Sequence, residues 1–131
     1  MNICVALRTE AAAVRRGTTM PVTRIGMRAR RVHRIPPGAG PIAMLGVAGG
    51  VAPQVQVGDV IVASEVRGDG LTLSCPAAPL LAGALRRGGL TVHVGPLVTR
   101  PRLARGKDFA ELAMSGALAV DMETAVVAQS V

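Results

Sequence analysis

The sequence predicts an α/β protein with a mainly parallel or mixed central sheet and helices packed on its faces. Three observations carry that prediction. Half of the 131 residues are apolar, yet Phe109 is the only aromatic. The core must therefore be built from Val, Leu, Ala, Ile and Met, which suit strands covered by helices. Short apolar runs alternate along the chain with alanine- and leucine-rich segments, the alternation expected of parallel strands joined by helices. The length points to a single domain over residues 1–131 with one real core.

The elements follow in order. "NICVAL" (2–7) reads as a buried strand. "TEAAAVRR" (9–16) is a helix with Thr9 at its N-cap. "PVTRIGM" (21–27) is strand-like and stops at Gly26, and "RARRVHRI" (28–35) is a short basic helix ended by Pro36 and Pro37. "PIAMLGVA" (41–48) is a continuous apolar run, a strand buried on both faces, and "DVIVASEV" (59–66) is the next strand after Gly58. "APLLAGALRRGG" (78–89) is a helix with Leu80, Leu81 and Leu85 on its apolar face and Gly88 and Gly89 stopping it. "LTVHVGPLVT" (90–99) is a strand, and "KDFAELAMSGA" (107–117) is a helix with Asp108 near its positive end. "LAVDM" (118–122) is a short strand that hands over to a helix in "ETAVVAQSV".

The net charge is +7, almost all of it arginine, with Lys107 the only lysine. Arg24, Arg28, Arg30, Arg31 and Arg34 form a local cluster. Such a cluster suits an anionic ligand, a nucleic acid or a solvated face. No aromatic residues interleave with it to stack bases, so nucleic acid is the weaker expectation. Cys4 and Cys75 are isolated, which fits two thiols in a reducing cytosol and neither a zinc site nor a disulfide framework. The opening "MNICVALRTE" lacks the basic leader of a signal peptide, and the apolar window from Pro41 to Pro53 is too short to span a bilayer. A soluble cytoplasmic protein without metal or cofactor is expected.

Two stretches carry chemistry. "GVAGG" (46–50) ends a strand, and Gly49 and Gly50 remove side chains where a flat base or a phosphate could approach the main chain. In such sheets ligands bind outside the carboxyl ends of the strands. "AVDMETA" (119–125) is a strand-to-helix junction, where Glu123 puts a carboxylate able to accept from two vicinal hydroxyls and Met122 offers a polarizable surface. Each has an ordinary alternative: a tight turn for the first, and for the second a helix whose first turn carries Asp121 and Glu123.

Taken together, "GVAGGVAPQVQVGDVIVASE" and the later "AVDMETAVVA" resemble the nucleoside phosphorylase and nucleosidase superfamily. "SCPAAPLLAGALRRGGLTVHVGPLVTR" with "SGALAVDMETA" looks most like its hopanoid-associated phosphorylase branch. The resemblance implies a three-layer α/β fold and cleavage of the N-glycosidic bond of a purine nucleoside, by phosphorolysis or hydrolysis. An adenosyl-hopanoid is the substrate implied by the branch, inorganic phosphate the implied co-substrate and a homo-oligomer the implied assembly. Met122 and Glu123 match the pair that contacts the ribose. Gly49, Gly50 and Val47 match the glycine turn at base and sugar. The segment around Thr99 matches the backbone that faces the base, and Glu10 lies in the acidic turn near the reacting carbon. Arg24, Arg28 and Arg67 are the candidate phosphate donors.

There are departures from the pattern. In the hydrolase members the water-activating glutamate falls nearer Ala12 and a serine stands where this chain has Val47. Arg28 occupies a spot where a glycine is usual. The family's catalytic aspartate comes from a further strand, and this sequence stops at Val131. The expectation is therefore a fold incomplete at its C-terminus, and either an enzyme of this class or an impaired homologue that binds nucleoside or pairs with another subunit.

Overall fold

The computed structural model describes residues 1–131, which form two compact units. Unit 1 comprises Met1–Val47 with Met122–Val131, and unit 2 comprises Ala48–Asp121. The fold class is the α/β class expected, with helices between strands and with both parallel and antiparallel pairs.

Unit 1 is built on a three-stranded parallel sheet in the order β2-β1-β3, from β1 (Asn2–Val5), β2 (Val22–Arg24) and β3 (Ile42–Met44). β1 is the central strand and is buried along its whole length, as four consecutive side chains with no water-facing partner require. Ile3, Val5 and Ala11 pack on one side of it, with Val14 of helix α1 (Arg8–Gly17) beside them. Cys4, Ile25, Ala29 and Val127 pack as a second cluster, the last from helix α4 (Thr124–Gln129). Burial raises the Cys4 thiol above its ordinary range.

Helix α1 starts one residue before Thr9, with Leu7 at the N-cap position. The cap comes from inside the helix: the Glu10 carboxylate accepts from Leu7 N at 2.7 Å, so no hydroxyl is needed there. The basic segment 28–35 is not one helix. It forms two single 3-10 turns, Met27–Ala29 and Val32–Arg34, interrupted where Arg28 and Ala29 adopt φ of 56° and 52°. A left-handed residue cannot continue a right-handed helix.

Unit 2 carries a five-stranded sheet, order β4-β8-β7-β5-β6, from β4 (Gly49–Gly50), β5 (Val60–Gly68), β6 (Leu71–Ser74), β7 (Val92–Thr99) and β8 (Ala119–Asp121). β5–β7 and β7–β8 are parallel, and β4 and β6 close the two edges antiparallel. The β5–β7 register slips between Ala63 and Glu65, opposite Gly95 and Pro96. Proline has no N–H for the ladder, and a bulge accommodates the gap.

Helix α2 (Ala78–Arg87) lies on this sheet through Ala78 and Ala82, which pack with Val62 and Val92, and Leu85 borders them. Leu80 and Leu81 do not join the core: they are 78% and 50% exposed. Small alanines let the helix approach the strands closely, and the leucines point away. Helix α3 (Lys107–Met114) contributes Leu112 to a cluster with Ala117 and Val120. No helix is long and apolar enough to cross a membrane.

Candidate functional site

The two motifs singled out in the sequence meet within unit 2. Gly49 pairs with Val120 and Gly50 with Ala119, so the "GG" of the first motif is a two-residue strand on the edge of the strand that leads into "DMET". The space around both is small. A Cβ on Gly49 would lie 3.3 Å from Val120 Cγ1 of the paired strand, a tight fit, and one on Gly50 would lie 2.9 Å from Val55 Cγ1 of the following loop, too close without a shift. Local packing thus accounts for small residues here alongside any approach of a ligand.

At the end of the neighbouring strand, Thr99 is buried and its Oγ1 donates to Asp121 Oδ1 at 2.6 Å. Arg100 N donates to Asp121 O at 2.8 Å, so the last residues of β7 and β8 are locked together. Asp121 ends β8 and is not part of the following helix. The Thr99–Asp121 pair was not singled out in the sequence. Its signal is a hydroxyl and a carboxylate closing two parallel strands.

In unit 1 two carboxylates are held by main-chain donors. Glu123 occupies the N-cap position of α4 and is only 7% exposed. Its Oε1 accepts from Arg28 N at 2.8 Å and its Oε2 from Met122 N at 3.2 Å. The left-handed turn at Arg28 aims that N–H at the carboxylate, and this is the spot where the sequence pattern expects glycine. Glu10 sits at the start of α1, where its Oε2 accepts from Ala6 N at 3.0 Å and from Leu7 N at 2.7 Å. Its Oε1 accepts from Val47 N at 2.9 Å, which ties the end of β1 to the loop after β3. Gly46, the first residue of "GVAGG" but not one of the candidate site residues, is part of this arrangement: a Cβ there would stand 3.0 Å from Glu10 Oε1.

Unit 1 therefore brings Glu10 to Val47 and Glu123 to Arg28 and Met122, while unit 2 holds Gly49, Gly50, Thr99 and Arg67. Arg67 is committed elsewhere. Its guanidinium pairs with Glu65 and donates from Nη1 to Ser115 O at 2.9 Å at the end of α3. Arg24 is different: its guanidinium is less basic than an ordinary arginine's, through lost hydration first and then through repulsion by Arg31, Arg8, Arg34 and Arg15. No three His, Cys, Asp or Glu side chains converge as a metal set.

Residues 5–130 match the family model described as Phosphorylase superfamily. The chain belongs to the Phosphorylase superfamily. Solved structures agree on the fold. The 5′-methylthioadenosine/S-adenosylhomocysteine nucleosidase of Neisseria meningitidis, in complex with methylthio-immucillin-A, superposes with a TM-score of 0.81 at 19% identity, covering 98% of this chain and 78% of that one. The Streptococcus pyogenes S-adenosylhomocysteine nucleosidase gives 0.81 at 19%, covering 98% and 75%. A Helicobacter pylori nucleosidase mutant with 5′-methylthioadenosine in its active site gives 0.83 at 15%, covering 98% and 77%. No curated protein matches the chain. The superfamily and its fold are those that the "GVAGG" and "DMETA" motifs implied.

Proposed function

We propose that this Phosphorylase-superfamily chain cleaves the N-glycosidic bond of a purine ribonucleoside. The observation that carries the reading is the buried Glu123 carboxylate at the strand-to-helix junction, oriented by the N–H groups of Arg28 and Met122. An ionised carboxylate is an acceptor only, which is what vicinal ribose hydroxyls need from a protein. As the C–N bond breaks, its electron pair leaves with the base and positive charge grows on the ribose. Holding the ring by its hydroxyls supplies orientation, and a fixed carboxylate close to the anomeric carbon favours that positive charge.

Glu10 is the residue for the second task, because three main-chain donors fix it. Met122, Gly49, Gly50, Val47 and Thr99 are the substrate contacts carried over from the sequence resemblance. The solved neighbours are nucleosidases for methylthioadenosine and S-adenosylhomocysteine, which favours an adenine base. An adenosyl-hopanoid is the finer reading, from the sequence branch. Attack by phosphate would draw on Arg24 or Arg28; Arg67 is a poor choice, with its guanidinium on Glu65 and Ser115. Self-association belongs to the same proposal, and the exposed Leu80 and Leu81 are surface that a second copy could cover.

The test is release of free base from adenosine, methylthioadenosine and inosine, with and without phosphate, measured by chromatography. Glu123→Gln should lower kcat/KM by about 10–100-fold, the worth of a charged hydrogen bond. Phosphate-dependent release identifies phosphorolysis, and phosphate-independent release hydrolysis. Ribonucleoside protection against heat without any base release would instead mark a binding protein.

A further inference from the structure

The charge of the chain is gathered in one place. Unit 1 holds eight arginines against two glutamates, Glu10 and Glu123, and both glutamates accept from main-chain N–H groups. The ion pairs Arg67–Glu65, His93–Asp59 and Arg100–Glu111 all lie in unit 2. None of Arg8, Arg15, Arg24, Arg31 and Arg34 forms an ion pair.

These five come together around β2. Arg24 is its last residue, in register with Val5 of β1, and Arg8 opens α1 shortly after β1 ends. Arg15 Nη2 donates to Val22 O at 3.1 Å, which brings the far end of α1 to the start of β2. Arg31 N donates to Ile25 O at 2.7 Å, and its side chain lies over Gly26, with Cγ and Cδ at 3.8 and 3.9 Å from where a Cβ would be. Arg34 N donates to Arg31 O at 2.9 Å, which holds the next turn beside it. The repulsion felt by Arg24 from the other four agrees with this packing.

We propose that the arginine cluster around β2 is a binding site for a di- or triphosphate group. Like charges brought together without carboxylate partners are repelled until an anion neutralises several at once. A single orthophosphate meets only part of the cluster. Adjacent phosphates present more charge and more oxygens to planar guanidinium forks, which favour phosphate bidentately. A compact group fits better than a nucleic acid strand: four of the five gather around the remaining one, Arg24, and unit 1 contains no Phe, Tyr or Trp on which bases could stack. This inference goes beyond the proposed reaction, which needs at most one phosphate, and its readout is binding, so it stands or falls separately from glycosidic cleavage.

The experiment is calorimetric titration of the full chain at low salt, without divalent metal, with orthophosphate, pyrophosphate, triphosphate and ADP. Pyrophosphate should bind on the order of tenfold tighter than orthophosphate, and the affinity should fall as salt is added. Arg24→Gln and Arg31→Gln should each weaken pyrophosphate by about fivefold or more, with the melting curve kept as a check on folding. The exposed Arg34→Gln replaces either variant that fails to fold, and the exposed Arg102→Gln of unit 2 should change nothing. ADP binding tighter than pyrophosphate assigns the group to a nucleotide, and equal binding assigns it to the phosphates alone; both support the site. Equal affinity for orthophosphate and pyrophosphate, no binding of any of the four, insensitivity to the cluster variants, or a DNA duplex that outcompetes triphosphate would each overturn it.

Discussion

Unit 1 and unit 2 share an architecture of strands and covering helices but solve the problem of charge in opposite ways. Unit 2 sets six arginines and a lysine against six carboxylates, and two of those arginines pair with acid, Arg67 with Glu65 and Arg100 with Glu111. Unit 1 keeps its two carboxylates for the main chain and leaves its arginines unpaired with acid. Near-neutral surfaces with internal pairs are what a supporting sheet needs. Unpaired charge of one sign is unfavourable for a compact state and suits an anionic ligand. The difference makes unit 1, not unit 2, the place to look for an anionic ligand.

The sharpest way to break that comparison is to damage each core separately. Ile25 of unit 1 is fully buried, and Leu112 of unit 2 is nearly so. Ile25→Ala and Leu112→Ala should each cost about 2–5 kcal/mol through lost burial and the cavity left. Hydrogen exchange monitored by peptide should rise first in 1–47 for the Ile25 variant and in 48–121 for the Leu112 variant. A uniform rise in both halves for either change would show that the chain unfolds as one cooperative body and that the division is only geometric.

Next in size is the Glu123 carboxylate. Glu123→Ala leaves the Arg28 N–H, now held at 2.8 Å in a part-buried hydrogen bond, without its acceptor. A loss of about 1–2 kcal/mol is expected from a part-buried hydrogen bond to a carboxylate. Glu123→Gln keeps an oxygen there and should lose clearly less, so comparing the two denaturation midpoints isolates the structural role of an acceptor at this position. Equal loss in both variants would tie stability to the charge itself.

Much of the fold was legible because its signals are local. Apolar runs bounded by Gly and Pro gave β1, β5 and β7 to within a few residues, and Gly88 does cap α2, with its N–H on Ala84 O at 3.2 Å. The run 41–48 did not form the doubly buried strand expected: only Ile42–Met44 pairs, half-buried at the edge of its sheet, and residues 45–48 leave the sheet and are exposed. The errors arise where local pattern and tertiary packing diverge. Of the leucines of α2 read as its core face only Leu85 packs on the core; Leu80 and Leu81 are exposed, and Ala78 and Ala82 face the sheet because small residues allow that close approach. β4 is two glycines long, below any periodicity, and exists only because β8 offers it an edge. Residues 28–35 have helical composition, yet Arg28 and Ala29 are turned left-handed and Arg28 N is thereby aimed at Glu123. For the candidate site, the sequence singled out Glu123, Met122, Glu10 and Val47 by residue type and motif. It did not show which groups hold the two carboxylates, because Ala6, Leu7, Arg28, Met122 and Val47 act there through main-chain N–H groups.

Acid probes the contrast more gently. In unit 2 the Asp59 carboxyl is held below the ordinary aspartate range, first by the N–H of Gln56 and then by His93, whose Nε2 is 2.8 Å away. A depressed folded pKa means stability that is present above the unfolded value of about 3.9 and lost as pH falls through the folded one. Asp59→Asn should therefore flatten the acid limb of the unit 2 melting profile without moving that of unit 1. An unchanged acid limb would mean that other carboxylates set it.

The smallest effect expected is at Arg28, and it separates backbone from charge. Its φ of 56° lies in the left-handed region, where a residue with a Cβ is strained by roughly 1–2 kcal/mol. Arg28→Gly removes that strain and keeps the N–H that Glu123 accepts, but glycine loses more backbone freedom on folding. The two nearly offset, so a gain of no more than about 1 kcal/mol is predicted, read as a small rise in Tm. Arg28 is also absent from the arginines whose repulsion reaches Arg24. Its replacement should then leave pyrophosphate affinity unchanged while Arg24→Gln lowers it. A fall in both stability and affinity in Arg28→Gly would show that the guanidinium, and not merely the main chain, belongs to the anion site, and would widen the cluster that distinguishes unit 1 from unit 2.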